Sequence, residues 1–340
     1  MRFTELTVRA ARTWLPPRRS AADAVLAGEV DAAVAEASGA VEVPVSADAS
    51  GPELAVRAGQ SALAAAGLPA GRLDLLVHGW IYHQGHDFWS PAHYVADRLG
   101  AGQAVPFGVQ QMCHAGAMAL HTAAGLLEAD PALNTALVTT GDRFTRPGFD
   151  RWRSDYDAVF GDAGTAVVLG RGGPGLRLVA SRVVAAPELE SMYRGEDAFS
   201  PAPLTHRAPI DARRTKKEFL AAGGMELLRK AAPPKVREAL TGALEDAGLA
   251  ARDPRIRAVL LSRLGPKTID LLYRPVMTEL LDAELVHLGA RTGHLGGGDA
   301  LANLADLDRL ELLAPGELAL CFAGGGGFTW SCMVVERPAR

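Results

Sequence analysis

One cysteine stands where a nucleophile could be activated. Cys113 lies between the segment VPFGVQQM and the small-residue run HAGAMALHTAAGLL, which predicts a helix over 114–128. At the start of that helix the positive end of the dipole favours the thiolate. The first backbone N–H groups of a helix have no intrahelical partner and can bind an oxyanion. A buried structural cysteine is the alternative, because free cysteines are commonly found in that state.

A histidine framed by glycines is the second candidate. His294 stands in the run TGHLGGGD, which ends at Asp299. Glycines on both sides allow a tight turn and close backbone approach before a helix over 300–310. Asp299 is placed either to cap that helix or to accept a hydrogen bond from His294. In the second case it fixes the tautomer of the imidazole and raises its basicity, as the third member of a Cys-His-Asp set does.

Four consecutive glycines at 324–327 separate two apolar strands. They predict either positive φ angles or a close approach to another group. No Lys-Ser/Thr pair follows, so the run is not a P-loop for phosphate. A bare backbone N–H aimed at an oxyanion fits better.

The remaining candidates are weaker. His83 and His86 resemble a metal pair, but no third ligand follows at a recognisable spacing, so we predict no metal. These histidines, with Phe88 and Trp89, more readily line a pocket. The basic run 213–217 (RRTKK) is typical of a solvated helix start, although in an acidic protein it could also dock an acidic partner.

Strand-like and helix-like runs alternate along the chain and predict an α/β fold. Several strands are apolar on both faces, which places them between layers of helices. The predicted strands are 73–78, 135–140, 163–169, 256–261, 318–323 and 332–336, and the predicted helices are 52–66, 114–128, 216–231, 236–247 and 300–310.

An internal repeat relates the two candidate regions. Segment 62–68 (ALAAAGL) resembles segment 243–249 (ALEDAGL), and the same offset aligns Cys113 with His294, since 294 − 113 = 181. The shared register predicts two similar halves whose pseudo-twofold brings these two residues together. The predicted halves are 1–172, with the nucleophile, and 173–340, with the His/Asp pair and the glycine-rich segment.

The composition excludes several classes of protein. The 340 residues include 35 Lys and Arg and 39 Asp and Glu, a net charge of −4, which argues against a nucleic-acid binder. The chain is 48% hydrophobic and 22% charged, so it is not globally disordered, and no run reaches the ~18 apolar residues of a membrane span. No secretory signal is evident. Three dispersed cysteines predict a reducing, cytoplasmic location.

Two motifs resemble those of the ketoacyl-acyl-carrier-protein synthase III family of the thiolase superfamily. They are 160–169 (FGDAGTAVVL) and 325–330 (GGGFTW), and Cys113 falls at the position of that family's nucleophile. The resemblance implies a thiolase-like αβαβα five-layer fold, a homodimer and a tunnel for the pantetheine arm of a carrier protein or coenzyme A. It also implies an oxyanion hole formed by the N–H groups of Cys113 and Gly326.

The departures from the family pattern are informative. Decarboxylating members have a His-Gln-Ala-Asn motif where this chain has 262–265 (SRLG), and a Gly-Asn pair where it has Gly293 and His294. The two neutral donors that hold an enolate oxygen are therefore missing, while a single His with an Asp partner suits proton removal from a hydroxyl or amine. This pattern resembles the acyltransferase branch found in actinomycete natural-product (polyketide and antibiotic) pathways. An arginine-bearing segment that many fatty-acid members carry near 35–45 is also absent.

The predicted function is acyl transfer through a Cys113 acyl-enzyme. The expected donor is a carrier-protein or coenzyme A thioester, with no further cofactor. Aromatic acyl groups are among the expected ones. The expected acceptor is a hydroxyl or amine of a sugar or aminocyclitol. Met112, Phe107, Trp80 and Tyr82 are candidates for an apolar acyl pocket or ordinary core. The alternatives are a decarboxylating condensing enzyme, a thioesterase and a non-catalytic scaffold partner.

Overall fold

The structure, a computed structural model, describes residues 1–156 and 158–339. The strands are β1 Leu6–Trp14, β2 Arg18–Ser20, β3 Glu42–Pro44, β4 Leu75–Trp80, β5 Val105–Gln110, β6 Thr135–Asp142, β7 Ala163–Arg171, β8 Leu176–Ala185, β9 Ile256–Leu260, β10 Glu284–Val286, β11 Leu318–Gly325 and β12 Thr329–Glu336. The helices are α1 Ala21–Leu26, α2 Ala32–Ser38, α3 Gly51–Ala66, α4 Pro91–Leu99, α5 Ala115–Ala129, α6 Ser191–Arg194, α7 Ala212–Phe219, α8 Met225–Ala247, α9 Pro266–Thr268, α10 Arg274–Leu280 and α11 Asp299–Arg309.

The main sheet repeats one strand pattern twice. Its order is β10-β9-β11-β12-β8-β1-β7-β6-β4-β5, and the two groups of five meet in a two-residue pairing of β1 with β8. In the first group β1 pairs antiparallel with β7, and β4 pairs parallel with both β6 and β5. In the second group β8 pairs antiparallel with β12, and β9 pairs parallel with both β11 and β10. The last strand of the first group, β7, ends at Arg171, and the first strand of the second group, β8, begins at Leu176.

Helices fill the spaces around and between the two groups of strands. Helices α3 and α4 cover the outer face of the first group, and α8 covers the outer face of the second. Helices α5 and α11 lie between the groups and share one apolar core with both. These five layers are the thiolase-like αβαβα arrangement that the sequence predicts. Strands β6 and β7 are buried on both faces over nearly their whole length, as their continuous apolar pattern requires.

Two glycines let the central helices meet at the junction of the halves. Gly116, in the first turn of α5, and Gly297, just before α11, are also 181 residues apart. A Cβ built on Gly116 would lie 2.3 Å from the carbonyl oxygen of Gly297, so no side chain fits there. The starts of α5 and α11 therefore pack backbone against backbone, which places the segments before both helices side by side.

The predicted helices 216–231 and 236–247 are wrong in their bounds. Helix α7 ends at Phe219, a wide turn over Leu220–Gly224 follows, and α8 then runs unbroken through Pro233 and Pro234. The prolines do not end α8 because its buried face, with residues four apart, packs along the sheet of the second half. Within the described residues no helix is both long and apolar enough to cross a membrane.

Candidate active site

A cavity of about 230 Å³ opens where the two central helices begin. Three of the four predicted site residues, Cys113, His294 and Gly326, line it, and Asp299 lies directly behind His294. Most of the remaining wall is apolar or aromatic, including Met192, Tyr193, Leu264, Tyr273, Phe328 and Trp330.

The nucleophile candidate sits in a short helical turn that leads into α5. This 3₁₀ turn, Met112–His114, places Cys113 at the N-terminal end of α5, as predicted. The unpaired backbone N–H groups of the helix lie at this end. Cys113 is half-buried and lines the cavity. The other two cysteines lie buried in β11 and β12, where burial raises the pKa of both thiols, that of Cys321 to about 12.

His294 and Asp299 form a buried pair. The Nδ1 of His294 lies 2.7 Å from Oδ2 of Asp299, and both side chains are at most 3% exposed. The imidazole therefore carries its Nδ1 proton toward the carboxylate and turns Nε2 toward the Cys113 side. Among residues 1–156 and 158–339, Nε2 is buried and makes no close hydrogen bond, but Cys113 is near enough to raise the pKa of the ring. Asp299 thus fixes the imidazole from one side, and Nε2 faces the sulfur of Cys113 on the other.

The charges of the site favour a protonated His294. Burial by itself would lower the pKa of this imidazole, but the Asp299 carboxylate and then the Cys113 side chain raise it well above its ordinary value. Burial would likewise raise the pKa of Asp299, yet the neighbouring imidazolium and the Arg263 guanidinium lower it. The free site therefore holds an imidazolium between the Asp299 carboxylate and the sulfur of Cys113.

Asp299 does not cap the helix that it begins. The N-cap of α11 is Gly298, and the Asp299 side chain folds back instead. Its Oδ1 accepts from the N–H of Leu295 at 2.9 Å, and its Oδ2 accepts from the N–H of Arg263 at 2.7 Å as well as from His294. Three donors thus fix the carboxylate, and of the two predicted alternatives the structure shows the contact with His294.

The segment FGDAG braces His294 from the opposite half. The Phe160 ring lies 5.2 Å from the imidazole, and the backbone of His294 donates to the Val159 carbonyl and accepts from Gly161 N–H. Asp162 is fully buried and forms a two-pronged ion pair with Arg151, with both N···O distances 3.0 Å. The motif FGDAG therefore holds His294 in position.

The run of glycines packs against the nucleophile's backbone. A Cβ on Gly325 would lie 2.5 Å from the N of His114 and 3.1 Å from the carbonyl carbon of Cys113. A Cβ on Gly326 would lie 2.6 Å from the Tyr193 ring. The close approach predicted for this run is therefore real, and its nearest partner is the turn that carries the nucleophile.

The segment 262–265 adds little polar chemistry to the cavity. The Ser262 hydroxyl accepts from the N–H of Gly324 at 3.2 Å, and Leu264 supplies an apolar patch of wall. Arg263 turns away from the cavity and is held by Thr292 and by an ion pair with Asp306. No enolate-holding donor comes from this segment.

The weaker expectations have different outcomes. His83 lines a cavity of about 750 Å³, as expected, and this cavity is separate from that of Cys113. Phe88 is fully exposed and Trp89 is 40% exposed, and neither they nor His86 line either cavity in the described part of the chain. Trp80, Tyr82, Phe107 and Met112 are also absent from the walls of the Cys113 cavity in the described part of the chain.

The basic run is not simply a solvated helix start. Lys216 is 4% exposed and lines the Cys113 cavity, together with Asp155. The spacing of residues in the sequence indicates this placement, although the charge of the run does not. Lys216 lies three residues before Phe219, on the buried face of α7, so a lysine occupies an apolar helical position. Nothing in the sequence pointed to Tyr193 or Asp155.

Known proteins resemble this chain over its whole length. The profile of the 3-oxoacyl-[acyl-carrier-protein (ACP)] synthase III family matches residues 107–187. The beta-ketoacyl-[acyl-carrier-protein] synthase III of Roseiflexus castenholzii is 26% identical over 290 residues, 84% of this chain and 83% of that protein. The structure of ChlB3, an acyltransferase, superposes with a TM-score of 0.87 at 29% identity and covers 99% of this chain and 98% of its own.

The chain resembles the ketoacyl-ACP synthase III family in sequence. The 3-oxoacyl-[acyl-carrier-protein] synthase III of Aquifex aeolicus, at 20% identity, shows the same fold, with a TM-score of 0.77 over 97% of this chain and 99% of its own. This chain therefore has the thiolase-like fold.

Proposed function

We propose that this synthase III-like enzyme transfers an acyl group from a thioester to a hydroxyl or amine by way of a Cys113 acyl-enzyme. The observation that carries the proposal is the row Cys113, His294 and Asp299 at one cavity, with no enolate-holding donors from 262–265. That row supplies a nucleophile and one base, which acyl transfer to oxygen or nitrogen needs.

In the first step the Cys113 thiolate attacks the carbonyl carbon of the donor thioester. The N–H groups of Cys113 and Gly326 hold the oxyanion, both residues lining the same cavity. The bond between the carbonyl carbon and the carrier sulfur then breaks, and the leaving thiolate takes the proton of the His294 imidazolium. This step leaves a Cys113 thioester and a neutral imidazole.

In the second step His294 acts as the base. Acylation removes the negative charge of Cys113, which is one of the two charges that raise the pKa of His294, so the imidazole holds its proton less tightly. Its Nε2 takes the proton of the acceptor while the acceptor oxygen or nitrogen attacks the Cys113 thioester. The carbon–sulfur bond breaks, and the thiolate reforms beside the imidazolium.

The donor reaches the cavity through an entrance groove of about 440 Å³, lined by Trp152, Arg213 and Lys267 among others. The groove and the cavity share the lining residues Asp155, Tyr156, Ala158 and Thr268, so they adjoin each other. Two cationic side chains at the mouth suit the phosphate of a phosphopantetheine arm on a carrier protein or coenzyme A. The apolar and aromatic wall of the cavity suits an aromatic acyl group.

A second copy of the chain is the proposed partner at the edge of the sheet. β5 is an edge strand on which Val105, Gly108 and Gln110 are exposed, Val105 by 61%. An uncovered edge strand with apolar residues is a template for pairing, which supports a homodimer. The proposed acceptor is a small molecule of the sugar or aminocyclitol class.

Intact-mass spectrometry tests the proposal. After mixing with acyl thioesters, including aromatic ones, the wild type gains the acyl mass, and Cys113→Ala does not. The matched control is Cys321→Ala, which removes a buried strand thiol and still acylates. His294→Ala acylates but transfers to acceptor roughly 10²–10⁴-fold more slowly. An adduct on Cys113→Ala, or transfer by His294→Ala at the wild-type rate, contradicts the assignment; release of free acid alone identifies a thioesterase.

A further inference from the structure

Four polar side chains join the turn of the nucleophile to strand β12. His114 follows Cys113 and is fully buried, and its Nε2 lies 2.8 Å from the Ser331 hydroxyl. Its Nδ1 lies 3.5 Å from Oε1 of Gln111, whose amide nitrogen donates to the Thr329 hydroxyl at 3.2 Å. These four side chains, the His114 cluster, have no part in the mechanism above.

The hydrogen bonds of the His114 cluster run in one direction. Burial, and then the nearby His121, lower the pKa of His114 to about 3, so the ring is neutral and carries one N–H. Because the oxygen of Gln111 can only accept, Nδ1 of His114 donates to it and Nε2 accepts from the Ser331 hydroxyl. The cluster therefore begins and ends on β12, and its two links to the turn lie on either side of Cys113 in the sequence.

The two hydroxyls of the cluster lie on the strand that follows the four glycines. Thr329 is opposite Gly325 in the pairing of β11 with β12, and Ser331 lies two residues farther along the same face of β12. The next residues on that face, Met333 and Val335, belong to the apolar core. Buried hydroxyls at the end of an apolar face need partners, and the nucleophile turn provides them.

We infer that His114 and Gln111 are positioning residues, which set the distance between the two N–H groups that hold the oxyanion. This inference rests on the proposed acyl transfer, in which one N–H comes from Cys113 and the other from Gly326. The two groups belong to different segments, and each must lie about 2.7–3.1 Å from the oxyanion to stabilise it. The hydrogen bonds of the His114 cluster hold the nucleophile turn in one position against the strand that follows Gly326.

The test compares two reactions of Cys113, of which only one forms an oxyanion. Acylation by benzoyl- or acetyl-coenzyme A passes through a tetrahedral oxyanion, whereas iodoacetamide alkylates the sulfur by displacing iodide. The variants Ser331→Ala and Gln111→Ala break the cluster at its two ends. The matched control is Ser181→Ala, because Ser181 is also a buried serine and lies 3.0 Å from another histidine of α5, His121.

Intact mass follows both reactions, with Cys113→Ala as the background, and thermal unfolding establishes that each variant is folded. Both cluster variants should acylate about 10- to 100-fold more slowly than the wild type, because a misplaced oxyanion donor loses most of its effect. Their alkylation should keep the wild-type rate, as should both reactions of Ser181→Ala.

Two results overturn the inference and leave the proposed function intact. One is acylation of the folded cluster variants at the wild-type rate, and the other is an equal loss in acylation and alkylation, which places the defect in the thiol and not in the oxyanion hole. If neither thioester acylates the wild type while iodoacetamide alkylates Cys113, the proposed function itself is refuted.

Discussion

Replacing Asp299 by asparagine should disable the base without moving it. All three groups bonded to this carboxylate are donors: the Nδ1–H of His294 and the N–H groups of Arg263 and Leu295. An amide has one acceptor oxygen and one NH₂ donor. If the oxygen keeps Leu295, the NH₂ faces Arg263 and His294. The imidazole must then accept at Nδ1, which puts its proton on Nε2, the atom that has to receive the proton of the acceptor.

The expected loss of transfer rate follows from the loss of His294 as a base. A positioned general base contributes roughly 10²–10⁴-fold, and the Asn replacement in the serine-protease triad costs about 10⁴ through the same tautomer switch. We therefore expect transfer from Asp299→Asn acyl-enzyme to slow by about 10³- to 10⁴-fold. The N–H of Arg263 also loses its buried acceptor, which should reduce the free energy of unfolding by about 1–3 kcal/mol.

The assay is single-turnover decay of the acyl-enzyme, followed by intact mass with saturating acceptor. The matched control is Asp306→Asn, because Asp306 lies on the same helix and pairs with the same Arg263 but does not bond to His294. The control should transfer within a few-fold of the wild type. Transfer by Asp299→Asn at the wild-type rate would refute the orienting role of Asp299, and equal losses in both variants would show that disturbance of Arg263 is the cause.

Three further outcomes are expected. Gly325→Ala should slow acylation at least about tenfold, because its Cβ collides with the turn that carries Cys113, whereas Gly102→Ala, which meets open space, should acylate normally; equal rates by intact mass would contradict this. Arg151→Leu should lower the free energy of unfolding by about 3–5 kcal/mol, since it strands the buried Asp162 carboxylate. Arg237→Leu, at an exposed pair, should leave it essentially unchanged in the same denaturant titration. Transfer should rise with pH through the pKa of His294, which Asp299 holds up, because only the neutral imidazole can take a proton; a flat profile between about pH 5 and 9 would argue against that base.

Much of the fold could be predicted because its strongest signals are local. Continuous apolar runs identify β6, β7 and β11 to within a few residues, and left-handed glycines end α3 and α8, at Gly67 and Gly248, as their sequences indicate. The sequence does not predict β1 and β8, because partly buried arginines interrupt the apolar pattern of both strands. Pro233 and Pro234 predict a break that α8 does not have, because packing along the whole helix outweighs the local preference of proline.

The site could be predicted in part, from residues whose chemistry is unusual. The repeat offset linked Cys113 to His294, and the spacing to Asp299 left two alternatives that only coordinates could separate. The cavity wall could not be predicted in this way. Tyr193 comes from the four-residue helix α6 and Asp155 from a connection, and both are too short to show a period. Lys216 is buried although the other basic residues of its run are more exposed.

The contact between Gly116 and Gly297 has a consequence for the newly made chain. The nucleophile and its base lie on opposite sides of that contact, 181 residues apart along the chain. At synthesis rates of about 5–20 residues per second, the ribosome therefore exposes Cys113 some 10 to 40 seconds before His294 exists. During that interval the cysteine has neither its charged partner nor a closed cavity. Docking of the second half thus closes the cavity around the cysteine and brings His294 and Asp299 to it.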